Sequence, residues 1–255
     1  MRVPVGALLF AAPASRDRVG IPFWNGILSA VGATAIGAVV AFCAAVALLI
    51  GVVLVTGREP STAPGHPLAA TMEIIFYGAA GAFAWQRLRT GGRSVFRALT
   101  ASDARTIVIG AVALLLVKIA TGIALVATNN GQHVQSGFDN FNVVTKQPEM
   151  TALAIALTIV AMVGIGPVVE EIVFRGLLFG ALAPRTGVLL GAAISALIFA
   201  AVHGDAVLFP TLAALGLINA LSYAATGNLW VPITLHALNN ALGATFLIGQ
   251  SLHAI

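Results

Sequence analysis

Long apolar runs separated by short polar punctuation organise this chain, and about 20 apolar residues are what a helix needs to cross a bilayer. Such runs lie near 26–56, 68–86, 105–128, 150–166, 187–203, 207–225 and 230–250. The first is longer than one crossing requires, so it must tilt, protrude or begin late. A further apolar helix fits between Gly166 and Pro184, entered at Pro167, a residue tolerated in a first helical turn. Whether residues 150–183 make one kinked helix or two is open at this point; as one they would run about 50 Å at 1.5 Å per residue. The expected fold is all-α, a polytopic transmembrane helix bundle of seven or eight spans. The glycine pairs Gly176/Gly180 and Gly187/Gly191 predict close helix approach within it.

Composition agrees: 59% of residues are hydrophobic and 9% charged, with a mean hydropathy of +0.99, whereas soluble domains carry roughly 25% charge. The net charge of +4 does not indicate nucleic acid, because the arginines sit at the ends of apolar runs and form no basic face. Arg87, Arg89, Arg93, Arg97 and Arg105 crowd the connection after the second run against one acid, Asp103, which predicts that this loop is cytoplasmic. Arg2, Arg16 and Arg18 then place the N-terminus on the same side, while the connections at 57–67 and 129–149, with Glu59, Asp139 and Glu149, fall outside. Residues 1–15 imitate a cleaved leader only loosely, since Pro4 and Gly6 break the short apolar part. The single cysteine, Cys43, offers no disulfide framework and no thiolate metal cage. No linker divides the chain, so residues 1–255 read as one integral-membrane domain.

Three polar patterns interrupt the last apolar runs. Glu170-Glu171-Ile172-Val173-Phe174-Arg175 puts three ionisable residues into six positions, at an insertion cost of about 2.5–3.5 kcal/mol each unless they pair or face a polar interior. Glu171 and Arg175, four apart, share a helix face in the favourable order for an ion pair. Glu170 points about 100° away and is free to meet a neighbouring helix. Phe199 and His203 are again four apart, ahead of Gly204 and Asp205, and His236 and Asn240 repeat the spacing beside Asn239. Each pattern alone also fits a static polar clamp between helices. Together, a carboxylate, two imidazoles and an amide are what a water-activating hydrolytic site needs. Asn219, Ser222 and Tyr223 on the intervening helix read as packing residues.

In order and spacing, these motifs resemble the CAAX-protease and bacteriocin-processing (CPBP, or ABI) family of intramembrane proteases, over roughly residues 150–250. The resemblance implies an intramembrane endopeptidase in which Glu170 and His203 activate a water while His236 and Asn240 stabilise the oxyanion. Glu171 and Arg175 would orient the carboxylates, with Phe199 supporting. It further implies a membrane-associated peptide or protein substrate, the bilayer as the setting and a bacterial cell membrane as the location.

A metal-independent reaction without cofactor is expected, because no His-Glu-x-x-His helix is present. The metal-dependent alternative is a zinc ion on Glu170, His203 and His236. Two readings from other classes compete: a non-catalytic membrane scaffold or chaperone that keeps the polar cluster for packing, and an ion or proton pathway using Glu73 and Lys118. The simpler roles for those two are end-of-helix snorkelling for Glu73 and an interhelical partner for Lys118.

Overall fold

The computed structural model describes residues 23–56, 67–90, 94–131, 133 and 148–253. The leader-like stretch and Arg2, Arg16, Arg18, Glu59, Arg93 and Asp139 lie outside the described residues.

Among the described residues the chain forms helices and no strands. We number the rods α1 (Phe23–Thr56), α2 (Pro67–Arg89), α3 (Ala101–Ala127), α4 (Pro148 to Thr186), α5 (Val188–Val202), α6 (Phe209–Thr226) and α7 (Trp230–His253). The open question about residues 150–183 resolves to one continuous helix. Every internal junction of α4 keeps right-handed helical backbone angles, and Pro184 is carried inside its last turn. Seven rods result. Four of them, over Trp24–Leu48, Ala101–Ala127, Leu153–Thr186 and Phe209–Thr226, are long and apolar enough to cross a membrane, and α5 is apolar but shorter. Their outer faces are the reverse of a soluble protein's: Val108, Ile109, Val112, Leu116, Ile123 and Val126 on α3 alone stand exposed, the surface that lipid covers. This is an integral membrane protein.

Local chemistry sets the helix ends. Thr100 and Asp103 form a reciprocal capping box at the start of α3. Arg97 grips the Asp103 carboxylate with both terminal guanidinium nitrogens (2.6 and 2.9 Å) and also donates to the Thr226 carbonyl at 3.1 Å. The Leu229 N–H donates to the Val95 carbonyl at 2.8 Å, so the segment before α3 is tied to the α6–α7 corner.

Not every expected glycine contact is realised as packing. A Cβ on Gly191 would meet the Ala183 backbone at 3.0 Å, a true close approach, whereas Gly187 makes the α4–α5 turn at φ +82° with open space around it. That positive φ is a conformation glycine adopts without steric cost. A close backbone approach near the polar centre is at Gly216 on α6, where a Cβ would lie 2.9 Å from Ala196 Cα on α5.

Two apolar clusters flank the polar centre. One gathers Leu177, Phe179, Leu229 and Ile233; the other gathers Leu114, Phe199, Leu212, Leu215, Val231 and Leu235.

Candidate active site

Two stretches of α4, Val160–Ile165 and Ile172–Phe179, are wound as π-helix, a form that appears mostly as local bulges and frequently at functional sites. The first has a specific consequence. Gly166 N–H donates to the Ala161 carbonyl, five residues back, and the next amide in that register belongs to Pro167, which has no N–H. The Met162 carbonyl is left without its backbone donor. Asn240 Nδ2 on α7 supplies the missing hydrogen bond at 2.8 Å, while Asn239 Nδ2 donates to Asn240 Oδ1 at 3.1 Å. One N–H of Asn240 remains for another acceptor.

Between the two bulges, Glu170 and Glu171 diverge as helix geometry predicts. Glu171 and Arg175 are both 0% exposed and paired at 3.1 Å. The same carboxylate oxygen, Oε1, accepts from Asn219 Nδ2 at 3.0 Å and from His236 Nδ1 at 2.8 Å. Arg175 also donates through Nη2 to the Gly216 carbonyl at 2.9 Å. Asn219, read from sequence as a packing residue, is thus part of the carboxylate's hydrogen-bond shell. A buried charge left with one partner is costly, and this pair has neighbouring polar groups that compensate it.

Glu170 turns the other way and is 17% exposed at its side chain. Its Oε1 accepts from the Tyr77 hydroxyl on α2 at 2.7 Å, and its Oε2 lies 3.7 Å from His236 Nε2. His236 therefore stands between the two glutamates, one on each ring nitrogen. Because Glu171 Oε1 already accepts from Arg175 and Asn219, it acts toward His236 as an acceptor, which puts a proton on Nδ1 and turns Nε2 toward Glu170. The hydrogen bonds thus connect Glu170 to Tyr77, whereas His203 Nδ1 faces the Phe199 carbonyl at 2.7 Å. Only the N–H form of that nitrogen bonds a carbonyl, so Nε2 of His203 is the nitrogen left for other contacts.

Phe199 is the hub that brings the three motifs together. Its ring lies 4.6 Å from that of His203 and 5.6 Å from that of His236, and the Arg175 guanidinium sits 4.8 Å over its face. Phe174 meets it edge-on at 5.1 Å. Ser195 Oγ donates to the Phe174 carbonyl at 3.1 Å, which holds α5 against the second bulge.

Among the described residues no three His, Cys, Asp or Glu side chains are grouped to hold a metal ion. Glu73 is half-buried on α2, and its Oε2 is buried without a hydrogen-bond partner among the described residues. Lys118 has no ion pair among the described residues, so the interhelical partner expected for it is not realised there.

Beyond His203 the α5–α6 connection is held by Asp205, whose Oδ1 accepts the Leu208 N–H at 2.9 Å and whose Oδ2 lies 2.9 Å from His133 Nε2. Burial pushes the Asp205 carboxyl up, but the Leu208 and Val207 amides and the His133 imidazole outweigh it and hold the group below its ordinary range.

Tyr77, the Met162 carbonyl and the Gly216 carbonyl were not among the residues singled out from sequence. Tyr77 belongs to no motif, being one of 2 tyrosines in the chain and set in an otherwise apolar stretch. The freed Met162 carbonyl had a readable signal in Pro167, five residues on.

Comparison with known proteins agrees with the motif resemblance. Residues 152–242 match the sequence profile of the family described as Type II CAAX prenyl endopeptidase Rce1-like. The chain is 36% identical over 102 residues to the "Putative membrane peptidase YdiL" of Bacillus subtilis (strain 168), covering 40% of each protein. It is 28% identical over 144 residues to the "Membrane-embedded CAAX protease MroQ" of Staphylococcus aureus (strain USA300), covering 54% of this chain and 56% of that one. The matched segments thus span about half or less of these relatives. No solved structure matches.

Proposed function

We propose that this chain is an intramembrane endopeptidase that hydrolyses a peptide bond of a membrane-associated peptide or protein, with Glu170 as the base that takes a proton from the attacking water. The observation that carries this reading is the 3.7 Å separation of Glu170 Oε2 and His236 Nε2, two groups from different helices with no direct hydrogen bond between them. Glu170 Oε2 is buried as the helices stand, so a small separation of α7 from α4 admits the water that lies within hydrogen-bonding distance of both. The water oxygen attacks the substrate carbonyl carbon as its proton passes to Glu170, and the C–N bond breaks as that proton reaches the leaving nitrogen. The negative charge that develops on the carbonyl oxygen is met by the free N–H of Asn240 and by His236. As a donor there, His236 carries a second proton, and the two flanking carboxylates supply the countercharge. His203, whose Nε2 has no hydrogen bond among the described residues, is suited to share the proton transfer.

Hydrolysis without a metal ion belongs to the same proposal, supported by the lack, among the described residues, of three His, Cys, Asp or Glu side chains grouped as ligands and of a His-Glu-x-x-His helix. Metal analysis of purified protein together with chelator sensitivity tests it; stoichiometric zinc lost along with activity sinks it. We also propose a cytoplasmic N-terminus, supported by Arg87, Arg89, Arg97 and Arg105 around the α2–α3 connection. Labelling of a cysteine introduced at Ser94, after Cys43→Ala, checks the side.

The deciding experiment compares membrane peptides of cells carrying the wild-type chain with those carrying Glu170→Gln. At normal protein levels, the variant is expected to accumulate one uncleaved peptide. An identical peptide profile at equal expression favours the scaffold reading instead.

A further inference from the structure

The two oxygens of Glu170 have different surroundings, and the difference originates in α2, outside the segment that matches the Rce1-like profile. A glutamate's terminal torsion is broad, so nothing in α4 itself fixes the plane of the carboxylate relative to His236. The Tyr77 hydroxyl at 2.7 Å takes Oε1, while Oε2 is buried with no hydrogen-bond partner among the described residues and faces Nε2 of the imidazole at 3.7 Å.

The contact is built into the packing of α2 on α4. A Cβ on Gly166 would lie 3.2 Å from Tyr77 Cζ and 3.3 Å from its Cε2. One turn further along α2, a Cβ on Gly81 would lie 2.7 Å from Val169. Two missing side chains, one on each helix, thus let the phenol reach Glu170. Phe76 meets the Tyr77 ring edge-on at 5.4 Å. Packing alone would be served equally by phenylalanine. The hydroxyl serves the carboxylate.

We propose that Tyr77 is a positioning residue for the proposed reaction: its O–H donates to Glu170 Oε1 and thereby holds Oε2 toward His236 Nε2. This rests on the proteolytic reading of the site. It makes α2 part of the active centre, so the C-terminal helices alone do not hold a correctly oriented base.

The test uses the full-length protein and the fact that the chain has 2 tyrosines, Tyr77 and Tyr223. Tyrosine labelled with ¹³C at Cζ gives two NMR signals in detergent micelles, assigned with Tyr77→Phe and, should that variant fail to accumulate, with Tyr223→Phe. Glu170→Gln is expected to move the Tyr77 signal and leave that of Tyr223, a readout that a purely space-filling tyrosine does not give. In parallel, turnover is measured on whichever membrane peptide accumulates uncleaved with Glu170→Gln. Tyr77→Phe is expected to lower kcat about tenfold to a hundredfold, as for a lost hydrogen bond to a charged group, with KM little changed.

A Tyr77 signal unmoved by Glu170→Gln overturns the inference, and so does wild-type kcat in Tyr77→Phe while Glu170→Gln is inactive. Full processing in Glu170→Gln overturns the proteolytic reading first and this inference with it.

Discussion

His236 Nδ1 lies 2.8 Å from Glu171 Oε1, so the carboxylate whose evident task is to neutralise Arg175 also orients an imidazole of another helix, α7. Stability and chemistry meet in one oxygen atom. Removing Glu171 strands the Arg175 charge in a fully buried position and frees the His236 ring to turn.

Glu171→Ala and Arg175→Ala are each expected to destabilise the fold by about 3–5 kcal/mol, the range for breaking one side of a buried pair, and to reduce folded yield in membranes. The double variant Glu171→Gln/Arg175→Gln leaves no unpaired charge and is expected to recover much of that yield. Processing should not recover, because the amide that replaces the Glu171 carboxylate meets the imidazole as a neutral group. Yield followed by fluorescence-detected size exclusion, alongside peptide processing, separates the two effects; a double variant that is folded and fully active removes Glu171 from the function of His236.

Asn240 has two tasks, and its substitutions should divide them. Asn240→Ala removes both the donor to the Met162 carbonyl and the N–H proposed for the oxyanion. The first loss leaves a partly buried acceptor unsatisfied, at most about 1–3 kcal/mol. The second should lower turnover by about 10²–10³. Asn240→Gln keeps the amide but moves it by one methylene, so it is expected to retain folding better than activity. Thermal stability and turnover of both variants check this; equal losses of stability and turnover across them would mean that Asn240 only holds α7 to the bulge.

Much of this arrangement was legible in the sequence because it follows from helical periodicity. Spacing by four put Glu171 with Arg175, Phe199 with His203 and His236 with Asn240, and the 100° step put Glu170 on another face. What spacing along one helix does not carry is which neighbour a residue meets. Glu170 was expected to act with His203 on a water; the neighbour that bonds it directly is Tyr77, because Gly166 opens α4 to α2 at that depth. Asn219 looked like helix glue for the same reason: its target, Glu171, lies 48 positions away. The continuity of α4 was hidden by Gly164, Gly166 and Pro167, which suggest a break but are absorbed by a π turn.

Gly216 illustrates a contact with consequences at a distance. Its carbonyl anchors Arg175 Nη2 at 2.9 Å, and the absence of a side chain lets α6 approach Ala196. Gly216→Ala forces its Cβ against Ala196 Cα and Cβ, so α5 and α6 must separate. Overpacking of this kind costs about 1–3 kcal/mol, and the shift carries the Arg175 anchor away from Phe199. Reduced thermal stability is expected in Gly216→Ala, with partial rescue by Ala196→Gly. Failure of that second change to restore stability would place the cost in the Ala196 backbone contact, which it leaves in place.

The α5–α6 connection offers a pH-dependent test just outside the apolar helices. Asp205 accepts the Leu208 N–H at the entry to α6 and pairs with His133, much as an N-cap carboxylate satisfies an orphan donor, a role whose loss costs about 0.5–2 kcal/mol. Its folded carboxyl titrates below its ordinary range, which for an unfolded aspartate is about 3.9. The stabilisation is therefore fully present above that value and is lost as pH falls through the lower folded value, where the proton blocks acceptance. Asp205→Ala should melt earlier than wild type at neutral pH, and the gap should close as both are acidified below about pH 4. Melting curves of the two proteins in micelles across that range measure it. Because His203 caps the preceding helix two residues away, the same substitution should also loosen the imidazole from the Phe199 carbonyl, reducing processing at neutral pH more than the loss in melting temperature alone accounts for. A gap that persists undiminished in acid would place the contribution of Asp205 in its packing and not in its charge.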